Sequence, residues 1–366
     1  MENPYENVNF GTMVEVPGVI HEHTYSQTYF EACWNRGIRF IPICHYVASI
    51  ARYPSDGWDR DYEDWTDETA TATTTRNETG SISDFIDADT NSVVIADLPG
   101  MPNCEKAHMS GRSYHLCPLG STFGDPGNAP ILGGYDPPEG ISAWRGANPI
   151  LTPAQMLAGI AANTQYGGKT FVTFNHPNES KENMLDWIEE SNGLIKAVAG
   201  YSSYYGPTAS EGYRWKIDWL LRQGLKLMIT AEVDWQGVGA EDLGCHVLLM
   251  PSNYNSLTKT QKEEAILDAH IAGEFYANGK LTFFITDITA SEDLVTVTFD
   301  TVCDTVKIIT NKETITRTSV SEVSYLRKSE TSYIRVEAFL GTDFIFTQPI
   351  YYEVPEKANT VVLSMI

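Results

Sequence analysis

Residues 170–235, TFVTFNHPNESKENMLDWIEESNGLIKAVAGYSSYYGPTASEGYRWKIDWLLRQGLKLMITAEVDW, carry the pattern on which the expected fold rests. The run 170–174 is strand-like and ends just before His176. Residues 184–191 have helical spacing, 195–198 are strand-like, and 213–222 are helical and stopped by Gly224. A further strand over 225–230 ends just before Asp234. Apolar strands alternating with amphipathic helices point to an α/β fold with a mainly parallel sheet or barrel.

The same alternation extends outward from this stretch. Residues 12–20 form a strand that ends at His21, and 28–36 have helical spacing, with Phe30, Ala32, Cys33 and Trp34 in the apolar set and Gly37 as the stop. A short apolar run at 38–43 ends before His45, and 92–95 is a strand candidate. Residues 151–162 form a helix with Pro153 in its first turn, and 262–272 form another, stopped by Gly273. Two inserts interrupt the pattern. Residues 55–83 are rich in Asp, Glu and Thr, and 117–148 are rich in Gly and Pro; loops of this length act as lids or stay disordered. Beyond residue 280 the texture changes to period-two alternation at 294–300, 305–310 and 333–339, which reads as a small antiparallel β-sandwich. The expected organisation is therefore a domain over 1–280 followed by a sandwich over 281–366.

Composition narrows the function classes. A chain of 366 residues with 42% hydrophobic and 20% charged residues can bury a sizeable core. Its formal net charge of -23 argues against a protein that grips nucleic acid through phosphates or docks on an anionic membrane. No apolar run is long enough to span a bilayer, and MENPYENVNF lacks the basic and apolar regions of a signal peptide. A cytoplasmic location is the default expectation, with export open if a leader has been removed. The six cysteines form no CxxC pair and read as buried free thiols. The expected partner is a small-molecule substrate; the oligomeric state is open.

Chemistry-bearing residues gather at the predicted strand ends. His21 and His23 are two apart in HEHT, so at a strand end both imidazoles can reach one ion. An HxH pair alone is more often structural or on the surface than a ligand pair; its company gives it meaning. His45, His115 and His176 also follow strands or lie in adjoining loops, as do Glu105 and Asp234, whereas His108, His246 and His270 read as incidental.

The order of HEHT (21–24), PICHY (42–46), Glu105, YHLCPLG (114–120), FNHP (174–177) and EVDWQ (232–236) resembles the polymerase and histidinol phosphatase (PHP) family of metal-dependent hydrolases. The resemblance runs from about residue 12 to 279, with QKEEAILDAHIAGEFYA (261–277) similar to the closing helix. SYIRVEAF (332–339) and QPIYY (348–352) resemble the sandwich appended in the carbaryl-hydrolase-like (CehA/McbA) branch. It implies a distorted (β/α)7 barrel of TIM-barrel-like architecture and two divalent transition metal ions, Zn, Mn or Fe. By resemblance, His21, His23, Glu105 and Asp234 hold the first metal. Glu105 bridges to the second, which His115 and His176 complete, and His45 matches a ligand of a third. The sequence departs from the family at Gln236, where a histidine is usual, and at the neutral stretch Ser26–Gln27–Thr28, so the third site is expected to be weak or empty.

The implied reaction is hydrolysis, a phosphoesterase first, with a metal-bridging hydroxide as nucleophile and Asp234 taking its proton. His45, freed from a third metal, suits substrate binding or general-acid work. Arg112 and Arg145 are candidate substrate anchors, with solvated surface arginines as the alternative. Tyr25 and Trp235 either line the pocket or pack in the core. Two other classes stay open: a carboxylic ester, carbamate or amide hydrolase, and a non-catalytic binding module on an eroded barrel.

Overall fold

The computed structural model describes residues 1–21, 33, 35–40, 43–46, 102–105, 116–121, 153–162, 164, 166–175, 177–233 and 244–354. The inserted segment 55–83, the strand candidate 92–95 and most of 117–148 lie outside them.

Four strands form the sheet that matters most for the site. They are β4 (Leu116–Leu119), β5 (Phe171–Phe174), β6 (Ile195–Ser202) and β7 (Met228–Glu232), in that order. β4 runs antiparallel to β5, while β5, β6 and β7 are mutually parallel. The parallel steps are made by helices α2 (Lys181–Glu190) and α3 (Gly206–Arg222), which follow α1 (Pro153–Ala162). Ser180 caps α2 by accepting the Asn183 N–H, and Pro207 opens α3, where a missing N–H costs nothing. Met184, Trp187 and Ile188 of α2 and Ile217, Leu220 and Leu221 of α3 pack on one face of the sheet, against Val172, Phe174, Val198, Ile229 and Ala231. This βαβαβ stretch agrees with the expected alternation.

The rest of the chain does not, and the (β/α)7 barrel with an appended sandwich is corrected by what is observed. The largest sheet has nine strands, and every pairing in it is antiparallel. It begins with β1 (Val14–Gly18), β8 (Cys245–Met250) and β9 (Phe275–Asn278), all within the stretch expected to form the barrel. It continues through β14 (Asp343–Phe346), β13 (Tyr333–Leu340), β11 (Leu294–Thr310) and β10 (Ile285–Ala290), with β12 (Thr314–Leu326) on β11 and β15 (Ile350–Tyr351) on β13. Strands from both sides of residue 280 are hydrogen-bonded neighbours, Ile345 opposite Asn278 and Phe346 opposite Ala277. Elsewhere among the described residues, parallel pairing joins β2 (Ile43–Tyr46) to β3 (Pro102–Glu105) and, as a single bridge, Gly18 to Phe40. β8 and β9 are buried at every position, and a continuous apolar run does not encode strand direction. Although α4 (Lys259–Ala272) links them, they pair antiparallel. A capping box between Thr258 and Gln261 and a left-handed Gly273 (φ 77°) fix the ends of that helix.

Side chains rather than a strand join the two large sheets. In a parallel ladder alternate residues of β7 turn their N–H and C=O away from β6. Tyr351 Oη accepts the Leu227 N–H (2.8 Å) and donates to the Leu227 carbonyl (2.6 Å). Gln348 Oε1 accepts the Ile229 N–H (2.7 Å), and its Nε2 donates to the Ile229 carbonyl (2.9 Å). His246 Nε2 lies within hydrogen-bond distance of both the Ala231 N–H (3.3 Å) and the Ala231 carbonyl (3.1 Å). Nearby, Arg335, fully buried in β13, forks onto Asp218 of α3 with two 2.8 Å bonds and donates to Glu337 (2.7 Å), which Arg214 also meets at 3.2 Å.

His246 and His270 form one buried relay. The Ile266 carbonyl can only accept, so His270 Nδ1 carries the proton and donates to it (2.8 Å). His270 Nε2 can then accept from His246 Nδ1 (3.0 Å), while His246 Nε2 faces both the N–H (3.3 Å) and the carbonyl (3.1 Å) of Ala231. Both rings are neutral in this arrangement. Burial pushes the His270 pKa down to about 4 from 6.5, and burial together with His270 pushes His246 well below its ordinary value. The unfolded chain therefore binds protons that the fold refuses. Stability should fall as pH drops from about 6.5 towards 4, each histidine contributing up to about 1.4 kcal/mol per pH unit. Urea denaturation across this range checks the sign: His270→Gln should flatten the slope, and an unchanged slope in that variant would mean the pair is already charged in the fold.

Candidate functional site

The second face of the β4–β7 sheet is unlike the helix-covered one. Cross-strand partners share a face, and the register places Cys117 opposite Thr173, Thr173 opposite Ala197, Ala197 opposite Met228, Ala199 opposite Thr230, and Ser202 opposite Glu232. Asn175, two residues past Thr173, donates from Nδ2 to Cys117 Sγ at 2.8 Å. The face changes along the strands. At their N-terminal ends it is apolar, with Phe171, Ala197 and Met228 packed in the core with Phe275 and Leu267. Towards the C-terminal ends it carries Thr173, Asn175, Ser202, Thr230 and Glu232, every one almost fully buried. In open α/β sheets ligands sit at the carboxyl ends of parallel strands, and polarity is concentrated there in this sheet.

His21 meets this polar end. It lies three residues beyond β1, whose extension is tied to Phe40 through the Val19 N–H (3.3 Å) and to Arg39 through the Pro17 carbonyl (2.7 Å). Its ring is fully buried, and Nδ1 is 3.0 Å from Oε2 of Glu232, itself 1% exposed. With Glu232 ionised, its carboxylate can only accept, so Nδ1 of a neutral His21 donates and the ring's lone pair lies on Nε2. Second-sphere carboxylates hold metal-ligating histidines in the same way. The end of β7 is anchored from its other side, because Ser203 donates its N–H to the Glu232 carbonyl (3.0 Å) and its hydroxyl to Val233 (2.6 Å).

Of the residues expected in the site, only His21 has a described side chain. His45 and Glu105 are placed by backbone alone, on the parallel pair β2–β3, where His45 opposes Cys104 and Tyr46 opposes Glu105. His23, His115, His176, Asp234, Arg112, Arg145, Trp235, Gln236, Tyr25 and His108 lie outside the described residues. Among the described residues, no group of three or more His, Cys, Asp or Glu side chains is arranged to hold a metal. Cys117, expected at the start of a loop, is a buried strand residue instead, because 116–119 pair with β5. Cys33, Cys117, Cys245 and Cys303 are buried free thiols. No helix among the described residues is long and apolar enough to cross a membrane. Glu232, Asn175 and Ser202 were not read as site residues from the sequence. The available signal was a carboxylate closing the apolar run MITAE, since a charged residue in a buried strand requires a partner.

No family model matches the chain, and no curated protein is significantly similar to it. A solved protein from Bifidobacterium adolescentis, named as a putative metal-dependent phosphoesterase, is 12% identical with a TM-score of 0.35, over 60% of this chain and 88% of its own. At that level neither its fold nor its activity carries over.

The buried pair makes a direct prediction. Glu232→Leu removes the carboxylate that meets His21 Nδ1 in the core, a class of change that costs about 3–5 kcal/mol. Glu232→Gln retains an acceptor oxygen and should cost less than half as much. Urea denaturation of both variants tests this, and equal losses would mean that the hydrogen bond does not hold His21.

Proposed function

We propose that this chain is a metal-dependent hydrolase acting on a small-molecule phosphate ester, with its centre at the carboxyl ends of β5, β6 and β7. The observation that carries the reading is His21, buried and held through Nδ1 by Glu232. A histidine so held fits a transition ion, because the orientation and tautomer needed for ligation through Nε2 are set before any ion arrives. The residues that would hold the ions are His21, His23, Glu105 and Asp234 for one, and His115 and His176 together with Glu105 for a second.

The described frame supports that set. Leu116 and Phe174 are partners on adjacent strands, and His115 and His176 lie within two residues of them in sequence. Asp234 follows Glu232 by two residues at the end of β7. Bound there, two divalent ions would lower the pKa of water and neutralise charge developing on phosphoryl oxygens. Glu232 keeps His21 oriented, Asp234 accepts the proton of the attacking water, and His45 protonates the leaving group. Gln236, a neutral amide where a third ion would need imidazole, favours one second reading, a carboxylic ester, carbamate or amide as substrate, because such a reaction develops less negative charge.

Elemental analysis of the purified protein should find about two transition ions per chain. Glu105→Gln should lose most of that metal together with phosphate-ester turnover, while His108→Ala, three residues away, retains both. Protein that stays metal-free after loading would refute the reading. Metal with turnover of aryl esters but not phosphate esters would select the second substrate class.

A further inference from the structure

Four side-chain oxygens on the inner face of the β4–β7 sheet have no hydrogen-bond partner among the described residues. They are Thr173 Oγ1 and Asn175 Oδ1 on the β5 side, Ser202 Oγ at the end of β6, and Thr230 Oγ1 on β7. All four residues are at most 1% exposed. The register puts Thr173, Thr230 and Ser202 on the same face as Glu232, and Asn175 joins them through Cys117. Between the β5 and β7 oxygens, β6 presents the methyl group of Ala199, with Ala197 beyond it packed in the apolar core. The face is thus a trough, floored by alanine, walled by hydroxyl and amide groups, and closed at one end by the His21–Glu232 pair.

Leaving four such groups dry is costly, since each buried polar atom without a partner forfeits its hydration. Native interiors resolve this by direct pairing or by ordered water. The β5 and β7 oxygens cannot pair directly, because those strands stand two spacings apart, about 9.5 Å, and Ser202 Oγ on β6 between them makes no hydrogen bond to either among the described residues. The same distance excludes one shared cation, whose oxygen ligands must lie within about 2.6 Å of it. Water matches both the span and the donor–acceptor chemistry, because hydroxyls can donate or accept while the amide oxygen only accepts.

We infer that this trough is an internal water-binding site, occupied by a short file of about two to four ordered water molecules bridging Thr173, Asn175, Ser202 and Thr230. The ligand class is water itself, held on the inner face of the sheet beneath His21 and Glu232. The inference stands on the four oxygens and needs no metal. One consequence does rest on the hydrolase reading: the file holds the second substrate of hydrolysis next to the candidate centre.

The sign of an isosteric substitution tests it. Thr230→Val and Thr173→Val keep shape and remove one oxygen each. If the oxygens bind water, each variant leaves a water short of a partner, and Tm should fall by about 2–4 °C. If the oxygens are dry, removing an unsatisfied hydroxyl raises Tm, which overturns the inference. A high-resolution crystal structure of the unaltered protein supplies the second readout, and it stands even if a variant fails to fold. Water density within about 3.2 Å of at least three of the four oxygens is expected. An empty trough, direct side-chain pairing or a coordinated cation there would each refute it. Neither readout involves turnover or metal content, so its failure would leave the hydrolase proposal untouched, and the reverse also holds.

Discussion

The structure depends on how one strand edge is satisfied. Among the described residues β7 has a strand neighbour on one side only, and its other edge presents the N–H and C=O of Leu227, Ile229 and Ala231 to the interior. Buried backbone groups must be paired. In place of a neighbouring strand, the fold uses the hydroxyl of Tyr351, the amide of Gln348 and the imidazole of His246, spaced two residues apart along β7 as a ladder partner would be. An amide side chain copies a peptide group almost atom for atom, which is why Gln348 satisfies both groups of Ile229. The seam lets a parallel βαβαβ sheet dock on a nine-stranded antiparallel one without sharing backbone pairing.

Function follows from that docking. The seam holds the odd-numbered residues of β7, which fixes the even-numbered ones, Thr230 and Glu232, on the opposite face. Glu232 thereby meets His21, which arrives on the extension of β1 from the other sheet. The two halves of the candidate centre thus come from different sheets. The Arg335–Asp218–Glu337 cluster reinforces the joint from the side of α3. Such a buried ionic joint adds little net stability compared with apolar packing, and its value lies in fixing one orientation.

Much of the local structure was legible in the sequence. The helical spacing at 184–191, 213–222 and 262–272 gave α2, α3 and α4, and the runs near 171–174, 195–198 and 225–230 gave the parallel strands. Strand direction elsewhere was not legible. CHVLLM and FYAN are buried on both faces, and nothing in their composition separates a barrel stave from an antiparallel strand. His246 and His270 were read as incidental for want of a partner; their role appears only when residues 24 apart meet across β8 and α4. Glu232 was hidden by its proximity to Asp234, which drew the attention a carboxylate at a strand end deserves. The polar trough was illegible because threonine, serine and asparagine are unremarkable residues until a register aligns them on one face.

Amide hydrogen exchange tests the seam most directly. In the unaltered protein, the Leu227, Ile229 and Ala231 amides should exchange as slowly as those that bond to β6. In Gln348→Leu, the Ile229 amide loses its acceptor, and protection across 227–231 should fall by about 10–100-fold, the equivalent of one lost buried hydrogen bond. The amides of β11 and β13, remote from the seam, should be unaffected. Unchanged protection at Ile229 in that variant would contradict the account, because the edge of β7 would then be held by something other than the side chains assigned to it.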